Sequence, residues 1–337
     1  MIGRNVGQVT TQGQILSGLF SKSSYEVTAV SSQPNRFRRG FDIALFLARH
    51  SSRFDIFILD IFGGRSFVVE DVASFLIRRA GKPVVMVLRG GAFGEFSARF
   101  PTWTRRVLKR AAVLIAPSKF LARTVEPFGF STSVIPNVVD ISSYPFRRRE
   151  NAKPRFFWMR SFHPAYNPLL AVRVFARVQK QYPEGTLTMA GQDKGLLEEA
   201  KKEAERLGVL GQIRFPGFLD LAGKLREAEN ADIVLNTNDV DNMPVALIEA
   251  AALGMPIVST DVGGIPDMLE HGRTGLLVRN KDEIAMCEAI DKLLTDPPLT
   301  ARLSENARAL AEQCSWGRVK NEWEIIFSQI LDRKGIH

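Results

Sequence analysis

Apolar positions along this chain follow two rhythms that alternate from beginning to end. Short runs rich in β-branched and aromatic residues are separated by stretches whose apolar residues recur every three to four positions. In the first half the short runs predict strands at Tyr25–Val30, Asp55–Phe62, Pro83–Leu88, Val113–Pro117 and near Ser133–Ile135, with amphipathic helices such as Asp71–Ala80 between them. In the second half they predict strands at Phe156–Arg160, Thr186–Ala190, Ile213–Phe215, Ile233–Asn236, Ile257–Thr260 and Leu276–Val278, with helices such as Leu196–Leu207. Strand–helix alternation of this kind is the signature of parallel α/β sheets. The charged, Pro-bounded stretch Tyr144–Pro154 (YPFRRRENAKP) reads as a linker, giving an expected first domain at 1–150 and a second at 151–337. The last helix, Trp316–Leu331, repeats apolar residues at 316, 319, 323, 326, 327 and 330, so one face of it must be buried, and it is expected to pack back on the first domain. Only Met1 and Ile2 precede Gly3, which implies a truncated or very short opening strand.

At 337 residues the chain is long enough for two domains with their own cores. Two adjacent α/β domains predict a ligand cleft between them, beyond the carboxyl ends of the strands. No stretch reaches the eighteen or so uninterrupted apolar residues that span a bilayer, and MIGRNVGQVTTQGQ has no apolar signal core. The two cysteines, Cys287 and Cys314, have no metal-ligand spacing, so a reduced, cytoplasmic setting is expected. Nucleophile-elbow, zincin, P-loop and dinucleotide-fingerprint patterns are all missing, which removes several enzyme classes.

Charge changes the picture of the first half. Residues 1–150 hold 22 Lys and Arg against 10 Asp and Glu, whereas the remainder holds 23 against 26. That confinement implies an anionic partner for the first domain. In Thr104–Ala112, Arg105, Arg106, Lys109 and Arg110 share an arc of roughly 140° on a helix, opposite Val107, Leu108, Ala111 and Ala112. With Arg36, Arg38 and Arg39 this basic face is expected to rest on anionic lipid, as a peripheral protein of the inner membrane face would. Nucleic acid is not expected, because no recognised binding module is present.

The most informative segment is Ala231–Val278, ADIVLNTNDVDNMPVALIEAAALGMPIVSTDVGGIPDMLEHGRTGLLV. A strand ends in the polar loop NTNDVDN, and Pro244 stands where a helix would begin, a position that tolerates its missing N–H. The helix closes at Gly254. Such a helix N-terminus offers N–H groups and partial positive charge to a phosphate. Asp241 lies just before the helix, and Glu249 lies inside it among apolar residues, so Glu249 is either buried and paired or facing a ligand. Asp239-Val240-Asp241 could pass for a metal-binding D-x-D, but its place before a helix of the second domain, with no His nearby, argues for no metal.

Two acidic residues with seven between them, followed by a strand and the turn Gly263-Gly264-Ile265-Pro266-Asp267, resemble the donor-binding signature of the retaining family-4 glycosyltransferases. APSKFLARTVEPFG, VIPNVVD, FFWMRSF and MAGQDKG resemble further parts of that family, so the likeness covers nearly the whole chain. It implies a GT-B fold of two Rossmann-like, doubly wound domains, and transfer of a hexose from a nucleotide sugar (UDP- or GDP-linked) with retention and no cofactor. The acceptor would be a glycan, a lipid-linked sugar or a small molecule. By the resemblance Glu249 meets the donor ribose, Asp241 the transferred sugar, and Asn242, Met243, Pro244 and Val245 the diphosphate. Arg160 neutralises the leaving group, Gly217 and Phe218 lie near the base, and Gly191 and Lys194 line the rim. The acceptor would enter near Thr10, Thr11, Gly13 and Arg89-Gly90-Gly91.

Three positions depart from the pattern. Asp241 replaces the usual Glu, Ala165 stands where a Lys often follows the Arg, and Leu88-Arg89-Gly90-Gly91 replaces a strand ending in His-Gly. Arg89 supplies charge without general acid–base capacity. LRGG, R-x-F-H-x-x-Y-N-P and DN-x-P together resemble one branch of the family. Two rivals share the architecture: a nucleotide-sugar epimerase or phosphorylase, and a non-catalytic sugar-nucleotide or lipid-binding protein.

Overall fold

The computed structural model describes residues 11–332 except Ser32 and Pro34, so Thr10 and the expected opening strand lie outside the described residues. The chain forms two compact units, one of Met1–Val138 with Trp316–His337 and the other of Val139–Ser315.

The described strands of the first unit are β1 (Phe57–Ile61), β2 (Val84–Leu88), β3 (Val113–Ala116) and β4 (Ser133–Val134), all parallel and in that spatial order. Its central β2 is buried at every position, as expected of a continuous Val/Met/Leu run covered on both faces. Alternation along the strand sends Val84, Met86 and Leu88 to one core with Phe67, Ile77 and Leu108, and Val85 and Val87 to another. That second core is closed by Leu16 and Phe20 of helix Gln12–Ser21, and by Val319, Trp323, Ile326, Phe327 and Ile330 of helix Trp316–Asp332. The last helix is therefore half of the roof over the first unit's sheet.

Tyr25–Val30 does not form a strand. Its alternating pattern is satisfied by packing Tyr25 and Val27 on the second core, with the Tyr25 hydroxyl donating to Glu324, and no ladder is needed. The stretch Tyr144–Pro154 is not a linker either, since the units divide at Val138–Val139. Its guanidiniums are consumed inside the second unit. Buried Arg149 donates to the Ala228 carbonyl at 3.0 Å, and Arg147 to Ala231 at 2.8 Å. Arg155 then holds Asp232 at 2.7 Å.

The second unit is one parallel six-stranded sheet: β5 (Arg155–Met159), β6 (Thr186–Ala190), β7 (Ile213–Gly217), β8 (Ile233–Asn236), β9 (Ile257–Thr260) and β10 (Leu276–Val278). Their spatial order is β10-β9-β8-β5-β6-β7, which is the doubly wound order with its reversal between β5 and β8. Apolar cores lie on both faces. Beyond the carboxyl ends of β5 and β8 the outgoing connections diverge to opposite faces and leave a crevice, the place where open α/β sheets bind ligands.

Candidate active site

Arg160 follows β5 directly, and the loop Thr237–Asp241 follows β8, so both sit at the point of reversal. The Arg160 guanidinium donates through Nη2 to Asp241 Oδ2, and its Cζ lies 3.9 Å from the Tyr166 ring centroid. Asn238 Nδ2 donates to the same carboxylate oxygen at 2.7 Å, and the Asn242 backbone N–H to Asp241 Oδ1 at 2.7 Å. Both members of the ion pair are mostly covered, with side chains 15% and 14% exposed.

Glycines make this approach possible. A Cβ on Gly191, at the end of β6, would lie 1.9 Å from the Arg160 carbonyl oxygen. A Cβ on Gly263, at φ +58°, would lie 1.9 Å from the Asp241 carbonyl oxygen. The neighbouring Gly264 N–H donates to that oxygen at 3.0 Å. The Gly-Gly turn is thus a clamp on the Asp241 backbone, and Gly191 is a contact surface for the Arg160 main chain.

Six buried side-chain polar atoms among the described residues lack a hydrogen-bond partner, and three of them belong to residues at the carboxyl ends of β5 and β8: Arg160 Nε, Asn236 Oδ1 and Asn238 Oδ1. A buried polar atom left unpaired costs on the order of 1–3 kcal/mol, so three of them at a sheet's ligand-binding end mark a place built for a polar guest. The arrangement offers one donor and two acceptors beside an arginine, ahead of the N-terminus of helix Val245–Ala252.

Glu249 lies in that helix and is buried and paired. Lys224 Nζ donates to both carboxylate oxygens at 2.7 and 2.6 Å, and the Tyr144 hydroxyl to Oε1 at 2.8 Å. Burial raises the Tyr144 hydroxyl above its usual range, and the Glu249 charge raises it further, so Tyr144 stays a donor. Three donors on a group with about four acceptor positions leave room for one more. Lys224 and Tyr144 were not foreseen. The only sequence signal was the buried acid itself, which demands a partner without saying which.

Of the other expected donor-side residues, Gly191 abuts the Arg160 main chain and Asn242 bonds to Asp241. Asn242, Met243 and Pro244 are buried and Val245 half-buried at the helix start. Gly217 accepts from the Gly191 N–H at 2.9 Å and has a φ of +76° with open space around it. Phe218 is half-buried, and Lys194 is exposed, its backbone N–H donating to the Phe162 carbonyl at 3.2 Å. Asp239 is held by Asn167 Nδ2 at 3.1 Å. Among the described residues no group of three His, Cys, Asp or Glu side chains converges as a metal site requires.

In the first unit, Arg89 follows β2 and is buried. Its Nε pairs with Asp60 of β1 at 2.9 Å, and its Nη1 donates to Asn137 Oδ1 at 2.7 Å. Its charge is therefore already compensated by Asp60. A Cβ on Gly13 would lie 2.5 Å from Asp60 Oδ2, so Gly13, Asp60, Arg89 and Asn137 form one cluster at the carboxyl ends of β1 and β2. Thr11 caps the adjoining helix by accepting from the Gln14 N–H at 3.3 Å. Gly90 takes φ +78°, beside the Phe62 carbonyl. Asp60 was legible only as a lone acid inside the apolar strand FILDI.

The family model for glycosyl transferases group 1 matches residues 142–310, and that for glycosyltransferase family 4 matches residues 19–143. A glycogen synthase of Mycobacterium tuberculosis is 28% identical over 193 residues, covering 56% of this chain and 46% of that protein. A phosphatidyl-myo-inositol mannosyltransferase of Mycobacterium leprae is 26% identical over 68% of this chain and 59% of that protein. The chain thus spans about half the length of the curated relatives it matches. Among solved structures, the Anabaena protein HepE in complex with UDP and glucose superposes with a TM-score of 0.74 at 20% identity, covering 94% of this chain and 89% of that one. Sucrose-phosphate synthase from Thermosynechococcus elongatus gives 0.77 at 14% identity over 95% and 93%. These likenesses set the fold as GT-B, and the first family model spans half the chain: this protein belongs to the glycosyl transferases group 1 family.

Proposed function

We propose that this protein is a glycosyltransferase that moves a hexose from a nucleoside-diphosphate sugar to a hydroxyl acceptor with retention of configuration. The observation that carries the proposal is the set of unpaired buried polar atoms around the Arg160–Asp241 pair, at the strand-order reversal and ahead of a helix N-terminus. A sugar hydroxyl both donates and accepts, which suits Asn236 Oδ1, Asn238 Oδ1 and Arg160 Nε. The diphosphate suits the Arg160 guanidinium and the Asn242–Val245 backbone. Glu249 has one acceptor position left for a ribose hydroxyl, and Gly217 and Phe218 are assigned to the base, with Gly191 and Lys194 on the rim. The binding of UDP and glucose by the HepE neighbour, and of UDP-glucose in a further structure of it, supports a nucleotide-sugar donor.

In the transfer, the bond from the anomeric carbon to the diphosphate breaks and a bond to the acceptor oxygen forms. The acceptor proton passes to the departing phosphate oxygen, and Arg160 stabilises the charge that develops there, an effect worth about 10²–10³ in rate at comparable sites. The acceptor, a glycan or lipid-linked sugar, is assigned to the first unit near Thr11, Gly13 and Arg89–Gly91. Thermal melting with UDP, GDP and ADP, each with and without chelator, tests the donor site. Stabilisation of about 2–3 kcal/mol at a hundredfold excess over Kd, by one nucleotide and regardless of chelator, is expected. Indifference to all three would overturn the reading.

A further inference from the structure

In the motif R-x-F-H-x-x-Y-N-P at residues 160–168, the tyrosine lies directly against the arginine. After β5 the chain passes through Arg160, makes one 3₁₀ turn at Pro164–Tyr166, and reverses at Asn167 into helix Pro168–Gln181. Asn167 takes φ +46°, a left-handed conformation that asparagine tolerates better than most side chains. The reversal carries Tyr166 back over Arg160, so that the guanidinium carbon lies 3.9 Å from the ring centroid. Attraction between a cation and a ring face extends to about 6 Å, so this is a close stack.

The ring is held in place by the backbone on both sides of it. The Thr237 hydroxyl, just past β8, accepts from the Trp158 indole N–H at 3.0 Å and donates to the Tyr166 and Asn167 carbonyls, each 2.9 Å away. Asn167 Nδ2 donates to Asp239 Oδ1 at 3.1 Å, and the Asp239 N–H to the Ala165 carbonyl at 2.9 Å. The turn after β5 is therefore tied to the loop after β8, and Tyr166 stands on a preformed support. Its own hydroxyl makes no hydrogen bond among the described residues, so the ring face is what it offers to Arg160.

Arg160 meets Asp241 through Nη2 alone, and one hydrogen bond fixes a point of a planar group while leaving the plane free to turn about it. A ring face fixes the plane. With point and plane both set, Nε and Nη1, which hold no hydrogen bond among the described residues, keep one direction. We propose that Tyr166 is the positioning residue for Arg160, its ring face setting the guanidinium plane in which the remaining donors meet the donor diphosphate. This role rests on the nucleotide-sugar reading of the site. Tyr166 also packs against the second unit's apolar core. Packing asks only for an apolar side chain, whereas stacking asks for an aromatic one.

Calorimetric titration with whichever of UDP, GDP and ADP stabilises the wild-type chain is the test. Tyr166→Leu is expected to weaken that nucleotide about three- to thirtyfold, and Tyr166→Phe to stay within about twofold of wild type. In an Arg160→Lys background the ammonium has no plane to orient, so Tyr166→Leu should cost about twofold or less there. Equal losses from Tyr166→Leu in both backgrounds would show that the residue only shapes the loop, and would overturn the role. So would wild-type affinity in Tyr166→Leu, or a loss in Tyr166→Phe as large as in Tyr166→Leu. In each of these cases the donor reading stands, because the wild type still binds. A wild type that binds none of the three nucleotides sinks the donor reading, and the role of Tyr166 falls with it. Should the melting curve show that Tyr166→Leu does not fold, Tyr166→Met takes its place in every arm.

Discussion

Asp241 and Arg160 show how much a single pair decides. The carboxylate takes hydrogen bonds from Arg160, Asn238 and the Asn242 N–H, so it is oriented and mostly covered from water. Arg160→Ala would leave that carboxylate with two neutral donors. Breaking a covered ion pair by removing one partner costs up to about 3 kcal/mol here, and the proposed nucleotide stabilisation should vanish with it. Melting curves of the variant with and without the nucleotide separate the two effects. Gly263→Ala tests the same site through the backbone. At φ +58°, with a carbonyl oxygen 1.9 Å from the new methyl, the clamp must open and Asp241 must move. A loss of about 2–4 kcal/mol is expected, with weaker donor binding even where the fold survives. Normal affinity in this variant would show that the turn does not set Asp241.

At the scale of elements, helix Phe67–Arg79 carries an acid with a charge problem. Glu70 lies in its first turn, buried, and accepts from the Phe62 N–H at 3.2 Å and the Ser66 hydroxyl at 3.0 Å. Burial outweighs these donors and pushes its carboxyl up to about 7. The folded state therefore holds the proton more tightly than the unfolded chain does. Stability from this group is complete below pH ~4.5 and is lost as pH rises to about 7, by on the order of 3 kcal/mol. Glu70→Gln should flatten the profile over that window, and chemical denaturation at several pH values will show it. A wild-type stability that rises with pH there, with no difference from the variant, would contradict the assignment.

For the molecule as a whole, the last helix belongs to the first unit although 177 residues of the second, Val139–Ser315, intervene. Trp323 is 2% exposed and packs edge-on against Phe20, with ring centroids 5.8 Å apart. Trp323→Ala should cost about 3–5 kcal/mol, confined to the first unit. Calorimetry is expected to show one transition lowered and a second, from the Val139–Ser315 unit, unchanged. A uniform shift of both would mean that the units unfold as one.

Much of this was written locally. The strands Thr186–Ala190, Ile233–Asn236, Ile257–Thr260 and Leu276–Val278 coincide with their sequence expectations, because continuous β-branched runs bounded by turns admit little else. The helix starting at Val245 was equally plain from Pro244 and Gly254. Where alternation allowed either a ladder or a simple docked strand, as at Tyr25–Val30, the pattern could not choose. The charged stretch Tyr144–Pro154 misled for a related reason, since a basic run looks solvated until carbonyls are brought to it. By itself the sequence determined which residues form elements, which faces are apolar, and that Asp241 and Glu249 flank one helix start. Only the tertiary structure decided their cations, Arg160 from 81 positions away and Lys224 from 25, and brought the ends of β5 and β8 side by side. Periodicity is a property of neighbours along the chain, whereas partners depend on the order in which strands assemble, and that order is set by the packing of the whole sheet.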